Sequence, residues 1–547
     1  MSPSRSGKIR ANCVDVAART IRAATIGWKN RSIVAVDETG PEDPSLNYLL
    51  PGFVDVHVHI ESSMLVPSEF GRIAARHGTV ATVSDPHEIA NVLGVDGVRY
   101  MMENAAASGF KVFFGAPSCV PATDFETAGA TLGCDEIAAL LDRPEVLYLS
   151  EMMNFPAVLD RNPAVLAKLA MARDRGLPVD GHAPGLTGEA ARRYAEAGIS
   201  TDHECTTLEE AESKLAAGMH ILIREGSAAR DFDALHPLIS SQPRRVMFCS
   251  DDKHPDDLLE GHIDRLAARA VALGHDVFDV LRCACLNAVE HYGLPVGSLR
   301  LGDPMDAVEV RDLRTFSVQR TWIDGGLAAE NGQSLLPRVE APPINIFHAQ
   351  NLEPADLEVP DPGGPIRVIG VEDGSLMTRA LVMEPPVDDG QVVSDPARDI
   401  LYLAVLNRYR PAAPAVAFVH GFGLQRGALA SSVAHDSHNI IAVGADAESL
   451  IAAVQAVVEH RGGIAVADGS EVKTLPLPVA GLMSTDPGDV VARRYTELDE
   501  SARALGSSLR APLMALSFMA LLVIPELKLS DRGLFDGLRF AFTDLAL

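Results

Sequence analysis

The sequence predicts an α/β protein: a (β/α)8 barrel with a small flanking β-domain, followed by a C-terminal α+β domain. Three observations lead there. Short apolar runs alternate with helical stretches from 51 to about 290. The segment PGFVDVHVHIESSM, 51–64, reads as a buried strand ending in His57-x-His59. The later runs also end in histidines and carboxylates, and the C-terminal strand ends of such a barrel are where its chemistry sits.

The candidate strands are 52–58, 79–84, 111–115, 146–150, 177–181, 199–202, 219–223 and 246–250. Between them Pro67–His77, Val95–Ser108, Asn162–Arg175 and Gly188–Ala197 carry helical periodicity. Eight strands with intervening helices in roughly 240 residues match the size of a barrel. A doubly wound sheet would want a glycine-rich loop after its first strand, where this chain has histidines and Glu61. The barrel is assigned to 51–290. Residues 1–50, with one clear strand-like run at Ser32–Val36, and 291–345 are expected to pair as the flanking β-domain. Proline and glycine cluster at 341–365, a linker, and 346–547 forms the C-terminal domain. The apolar run Leu513–Ile524 is too short to span a bilayer and reads as a buried element.

Composition narrows the class. The chain has 547 residues, 47% hydrophobic and 22% charged, enough for a large core. A net charge of −27 argues against nucleic acid or an anionic membrane as partner. Seven cysteines without a CxxC fit a reduced cytoplasmic chain rather than a disulfide framework. The first 13 residues lack the apolar stretch of a signal peptide.

In a strand, residues two apart share a face, so His57 and His59 can grip one divalent ion. Strand 2 ends in Ser84-Asp85-Pro86-His87-Glu88, strand 4 in Glu151, strand 5 in His182 and strand 6 in His203. Strand 7 leads to Arg224 and Glu225, and strand 8 ends in Asp251-Asp252. Any one has a bland reading as a satisfied histidine or a helix cap. Six together point to metal: four histidines and two carboxylates exceed what one tetrahedral ion takes, and two bridged ions would use them all. Lys253 and His254 read as a solvated loop. His435, Asp436, His438 and Asn439 form a second polar cluster outside the barrel, better read as a hydrogen-bond network or lid contact than as a metal site.

With these residues in view, the sequence resembles the metal-dependent amidohydrolase superfamily and, within it, the adenine deaminase family. The superfamily likeness rests on His57-x-His59, His182, His203 and Asp251. The family likeness rests on GFVDVHVHIESSM, HGTVATVSDPHEIANVLG, EMMNFP, DGHAPGL, TDHE and SDDKHP, with SSVAHDSHNI and LPLPVAGLMS further on. The resemblance implies that His57, His59, Glu151, His182, His203 and Asp251 hold two divalent metal ions, manganese before iron(II) or zinc. Glu151 stands where many superfamily members carry a bridging carboxylated lysine.

It also implies a reaction. A bridging hydroxide would attack C6 of adenine, with Asp251 as proton acceptor and Glu88 as donor to N1. His87 or Asp85 would support Glu88, and hypoxanthine and ammonia would leave. Arg224, Glu225 and Asp252 are expected to touch the purine or to brace the ligands. The partners expected are adenine and further copies of the chain, with neither nucleic acid nor membrane. Another amidohydrolase, acting on a cyclic amide or a different aminopurine, would use the same ligands. A catalytically silent binding homologue is the reading from another class. The H-x-E…P-C-x-x-C deaminase architecture is excluded, because no CxxC occurs.

Overall fold

In the computed structural model, residues 5–547 are described. Strands occur at all eight predicted places: β1 (Phe53–Val58), β2 (Thr79–Ser84), β3 (Lys111–Ala116), β4 (Val146–Met152), β5 (Val179–Gly181), β6 (Thr201–Asp202), β7 (His220–Arg224) and β8 (Val246–Cys249). All pair in parallel. β1 to β5 form one curled five-stranded sheet, and β6 to β8 form a three-stranded one. The two are linked at both edges: Ser200 N donates to Val179 O at 2.9 Å, and a parallel bridge joins Val58 to Asp251. The result is a TIM-like domain.

The strands are near-continuous apolar runs because helices cover their outer faces. Every residue of β1, β2 and β8 is buried. The helices follow capping chemistry. Pro67–Ala74 and Pro163–Asp174 start with proline in the first turn, and the Asn162 side chain accepts from Ala164 N and Val165 N.

A separate eight-stranded sheet flanks this domain. Its order places Tyr48–Pro51 between Ala307–Val310 on one side and Gly7–Asp15 on the other, so residues before and after the barrel share one sheet. Three strands before the barrel, Gly7–Asp15, Thr20–Lys29 and Ser32–Pro41, are much longer than the single run visible in the sequence. A third sheet, also of eight strands, spans Ile366–Pro476, with helix Ala447–Glu459 packed on it. The segment that follows it docks on the TIM-like domain: Ser484 N donates to Met64 O at 2.8 Å, and Gly488 N to Glu69 Oε2 at 3.0 Å. One apolar cluster runs from Val54 and Val83 through Leu429 to Leu513 and Phe518. The run at 513–524 is thus core: helix Pro512–Ser517, then a tight turn at Phe518–Ala520. None of the described helices is long and apolar enough to cross a membrane.

Lys253 and His254 depart from expectation. Both are buried, because helix Gly488–Ala504 packs over their loop and Tyr495 lies 4.6 Å from the His254 ring.

Two predictions follow from the packing. A Cβ at Gly181 would sit 2.5 Å from Thr201 O and 2.6 Å from Ile199 Cγ2, between β5 and β6. Gly181→Ala should cost about 1–3 kcal/mol in denaturant unfolding. It should also weaken metal uptake, since His182 and His203 follow these two strands directly. The second concerns acid. His220 and His291 lie 4.5 Å apart at the opposite end of the barrel. Burial, then Arg245, pushes His220 down from 6.5 to about 4; burial, then His220, pushes His291 down to about 3. The folded chain therefore binds fewer protons than the unfolded one below pH 6.5. This stability is full above pH 6.5 and is lost as pH falls toward 4 and then 3. His291→Phe should flatten the acid side of a Tm-versus-pH curve; an unchanged slope would refute the assignment.

Candidate metal centre

The parallel registers deliver the polar groups to one end of the barrel. Val58 faces Ser84, Ser84 faces Phe114, Met152 faces Gly181 and Arg224 faces Cys249. The residues at or just past these points converge. Asp251 has a left-handed backbone, φ 54°, which an aspartate tolerates better than most residues. That geometry lets its N–H donate to His57 O at 2.9 Å while its carbonyl accepts from His59 N at 3.3 Å. β8 is thereby pinned to β1 where the ligands stand.

Glu151 is the hub. Its Oε1 lies 3.3 Å from His59 Nε2, and its Oε2 lies 2.8 Å from His182 Nδ1 and 3.2 Å from His203 Nε2. Asp251 Oδ1 lies 3.2 Å from His59 Nε2 and 3.5 Å from His57 Nε2. The two nitrogens of His57 and His59 face each other at 3.2 Å. The donors form several overlapping clusters, among them His57, His59 and Asp251, His57, Glu151 and His203, and His182, His203 and Glu204. All are buried. Imidazole nitrogens turned toward one another and toward carboxylate oxygens, out of water, are the donor set of a divalent metal site.

The electrostatics agree. Burial alone would raise the Glu151 carboxyl, but His182, His203 and His59 hold it well below the usual range. Burial likewise works against Asp251, and His57, His59, His203 and Arg224 keep it ionised. Arg224 is the buried counter-cation. It donates to Asp251 Oδ2 at 2.9 Å, to Asp231 Oδ2 at 2.9 Å and to both oxygens of Glu204. Glu204 stands 3.6 Å from His182 Nδ1 and 3.5 Å from His203 Nε2.

Across the mouth lies a second, acidic side. The Ser62 hydroxyl is 2.9 Å from Glu88 Oε1 and 2.5 Å from Asp252 Oδ1. Glu61 accepts from Ile89 N at 3.2 Å. Burial, reinforced by Glu88, pushes Glu61 up to about 8. Burial also raises Glu88, against the pull of His435 and with the push of Asp252. The polar cluster at 435–439 arrives here rather than lying apart. His435 Nδ1 is 3.5 Å from Glu88 Oε1, His438 Nε2 is 4.0 Å from Glu88 Oε2, and Asp436 Oδ1 is 3.6 Å from His87 Nε2. Met153, Leu376, Phe518 and Leu521 add an apolar wall to the same cavity.

Of the residues expected at the site, His59, His87, Glu151, His182, His203, Arg224, Asp251 and Asp252 line this cavity. His57 and Glu88 are fully buried and do not line it; Glu88 lies behind, held by Ser62. Asp85 holds His87, accepting from its N–H at 3.1 Å, with Oδ2 3.3 Å from its Nδ1, rather than lining the cavity. Glu225 is a correction. It turns away, accepts from Arg269 at 2.9 Å and lines a separate surface cavity of about 470 Å³ with Arg230 and Lys253. Glu204, one residue past His203 in the TDHE string, occupies the place that Glu225 was expected to fill. Ser62 and the wall residues were also not foreseen. A hydroxyl directly after the HxHIE run was a signal for Ser62, and Met153 lies two residues past Glu151; Leu376, Phe518 and Leu521, more than 300 residues beyond Ser62 in the chain, left none.

Comparison with known proteins agrees with this geometry. The amidohydrolase family model matches residues 48–328, and the adenine deaminase C-terminal domain model matches 375–541. Proteins named adenine deaminase are similar over nearly the whole length. That of Salinibacter ruber is 58% identical over 98% of this chain and 99% of its own. That of Sulfurovum is 52% identical over 98% and 99%, and that of Parabacteroides distasonis 47% identical over 100% of both. With its barrel ligands and its C-terminal contributors both inside those matches, the chain belongs to the adenine deaminase family of amidohydrolases.

Proposed function

We propose that this protein hydrolyses adenine to hypoxanthine and ammonia. One observation carries the substrate: relatives named adenine deaminase align through both the barrel ligands and the segment bearing His435 and Asp436. We read the five-strand and three-strand arcs as one eight-stranded barrel over 51–290, with the flanking sheet and the C-terminal region as separate domains. His57, His59, Glu151, His182, His203 and Asp251 would hold two divalent ions, with manganese as the favoured metal. Bound there, such ions supply Lewis acidity, letting water lose a proton near neutral pH.

The chain's own groups do the rest. Asp251, kept ionised by its neighbours, accepts the proton of the attacking water. Arg224 braces Asp251 and Glu204 against their mutual repulsion. Glu88, whose buried position favours the protonated form, donates to N1 as the tetrahedral carbon forms at C6. Ser62 fixes Glu88 beside Asp252. Asp85 sets His87, which stands 3.4 Å from Glu151 Oε1. The wall of Phe518, Leu521, Leu376 and Met153 excludes water and packs on the ring. Ammonia carries off the exocyclic nitrogen, and the oxygen of water remains on C6.

Protein stripped and reloaded with manganese, iron(II) or zinc should release ammonia from adenine but not from guanine or cytosine. Glu88→Gln should lower kcat by roughly 100-fold or more with metal per chain unchanged. Near-normal turnover in that variant would remove Glu88 from the mechanism. Glu151→Gln should bring metal content, counted by mass spectrometry, from two per chain to one or fewer. Two ions retained would sink its role as a ligand.

A further inference from the structure

We propose that Lys528 is a positioning residue for substrate binding, tying the carbonyls of Leu376 and Phe518 and so fixing the apolar wall against the purine. The proposal rests on the adenine deaminase reading. Lys528 is fully buried on strand Leu527–Ser530, outside the metal centre. Its Nζ donates to Leu376 O at 2.8 Å and to Phe518 O at 2.9 Å. Those two residues come from segments about 140 positions apart in the chain, and both line the cavity.

A buried amine is expensive to keep, and an apolar residue of its size would normally replace it. Burial pushes this ammonium down to about 7, and no charged neighbour offsets the shift. Near neutral pH a share of it is therefore a neutral amine, whose two N–H groups match the two carbonyls. Its hold on the wall survives either protonation state.

The strut has a firm base and a functional end. At its base, Thr378 Oγ1 donates to Leu527 O at 2.7 Å, and Ser530 Oγ to Phe125 O at 3.0 Å in the loop after β3. At its end, the Phe518 ring stacks on His435 with centroids 4.8 Å apart and planes at 19°. His435 N donates to Ser517 O at 3.2 Å, and its Nδ1 faces Glu88. Lys528, Phe518, His435 and Glu88 thus form one chain of contacts into the site. Lys528 holds the wall residue Phe518 directly and reaches Glu88 only through Phe518 and His435, so loss of the strut should act on binding before chemistry.

Metal-loaded Lys528→Met and Lys528→Gln would be compared with the parent chain. Lys528→Met should raise KM for adenine about tenfold, hold kcat within about threefold and leave metal per chain unchanged. It should also speed amide hydrogen exchange over 374–378 and 516–522. Lys528→Gln, which keeps an amide donor, should recover part of the KM. Parental KM and parental exchange in Lys528→Met overturn the proposal. A fall in kcat and metal content at constant KM also overturns it, marking general support of the fold. If Lys528→Met fails to fold, the same KM and exchange readings on Lys528→Gln decide. A parent protein that releases no ammonia from adenine sinks the deaminase reading instead, and the exchange data then judge Lys528 alone.

Discussion

The carboxylate of Glu151, buried with its two oxygens turned to different imidazole groups, is the constraint on which the rest of the site depends. An ionised carboxylate out of water is tolerated only where positive charge surrounds it. Strands β1, β5 and β6 supply the imidazoles, and β4 supplies the carboxylate. Neither can be satisfied until the parallel sheet has curled far enough to bring β1 and β6 within reach of β4. The left-handed backbone at Asp251 belongs to the same requirement. Holding β8 to β1 at His57 and His59 is what brings a second carboxylate to the cluster.

Concentrating charge this way makes closure of the mouth necessary, because water would weaken each of these interactions. The barrel does not close itself. Asp436, His435, Phe518 and Leu521 come from the C-terminal region, and Asn439 Nδ2 clamps that region to the barrel by donating to Thr127 O at 2.9 Å. Arg408, buried among backbone carbonyls, donates to Ala480 O at 2.6 Å and to Asn345 Oδ1 at 2.7 Å. It joins the linker to the turn that follows the third sheet. The C-terminal region is therefore part of the site, and the apolar core that continues into it supplies the force that holds it down.

How much of this was legible in the sequence follows from distance along the chain. Each of the candidate donors His57, His59, Glu151, His182, His203 and Asp251 sits at or just past the end of an apolar run, so a local pattern points to it. Residues whose roles depend on tertiary neighbours were not. Glu225 and Glu204 look equivalent in sequence, each just past a strand. Arg269 draws one outward and Arg224 draws the other inward, and neither pairing has a local signature. His435 and Asp436 were visible as a polar cluster, but which surface they would meet was not. The first strands were missed for another reason. Gly7–Asp15 and Thr20–Lys29 have one face toward water, and their arginines, threonines and lysines dilute the alternation that marks a strand. His254 looked solvated only because helix Gly488–Ala504, which sets Tyr495 against its ring, lies far along the chain.

The carboxylates in and behind the cavity divide by their neighbours into a set held low and a set held high. On one side Glu151, Asp251 and Glu204 sit among imidazoles and Arg224, and all three are held below the ordinary range. On the other, Glu61 and Glu88 lie buried beside each other and Asp252, with no lysine or arginine in contact, and both are raised. Deamination at C6 needs both states at once: an ionised group to take a proton from water, and a protonated group to give one to the ring. Carboxylates in one uniform environment could not provide them. Imidazoles hold Glu151 and Asp251 low, Arg224 holds Glu204 low and adds to the effect on Asp251, and burial beside other carboxylates raises Glu61 and Glu88, so the strand-end histidines together with one guanidinium separate the two sets.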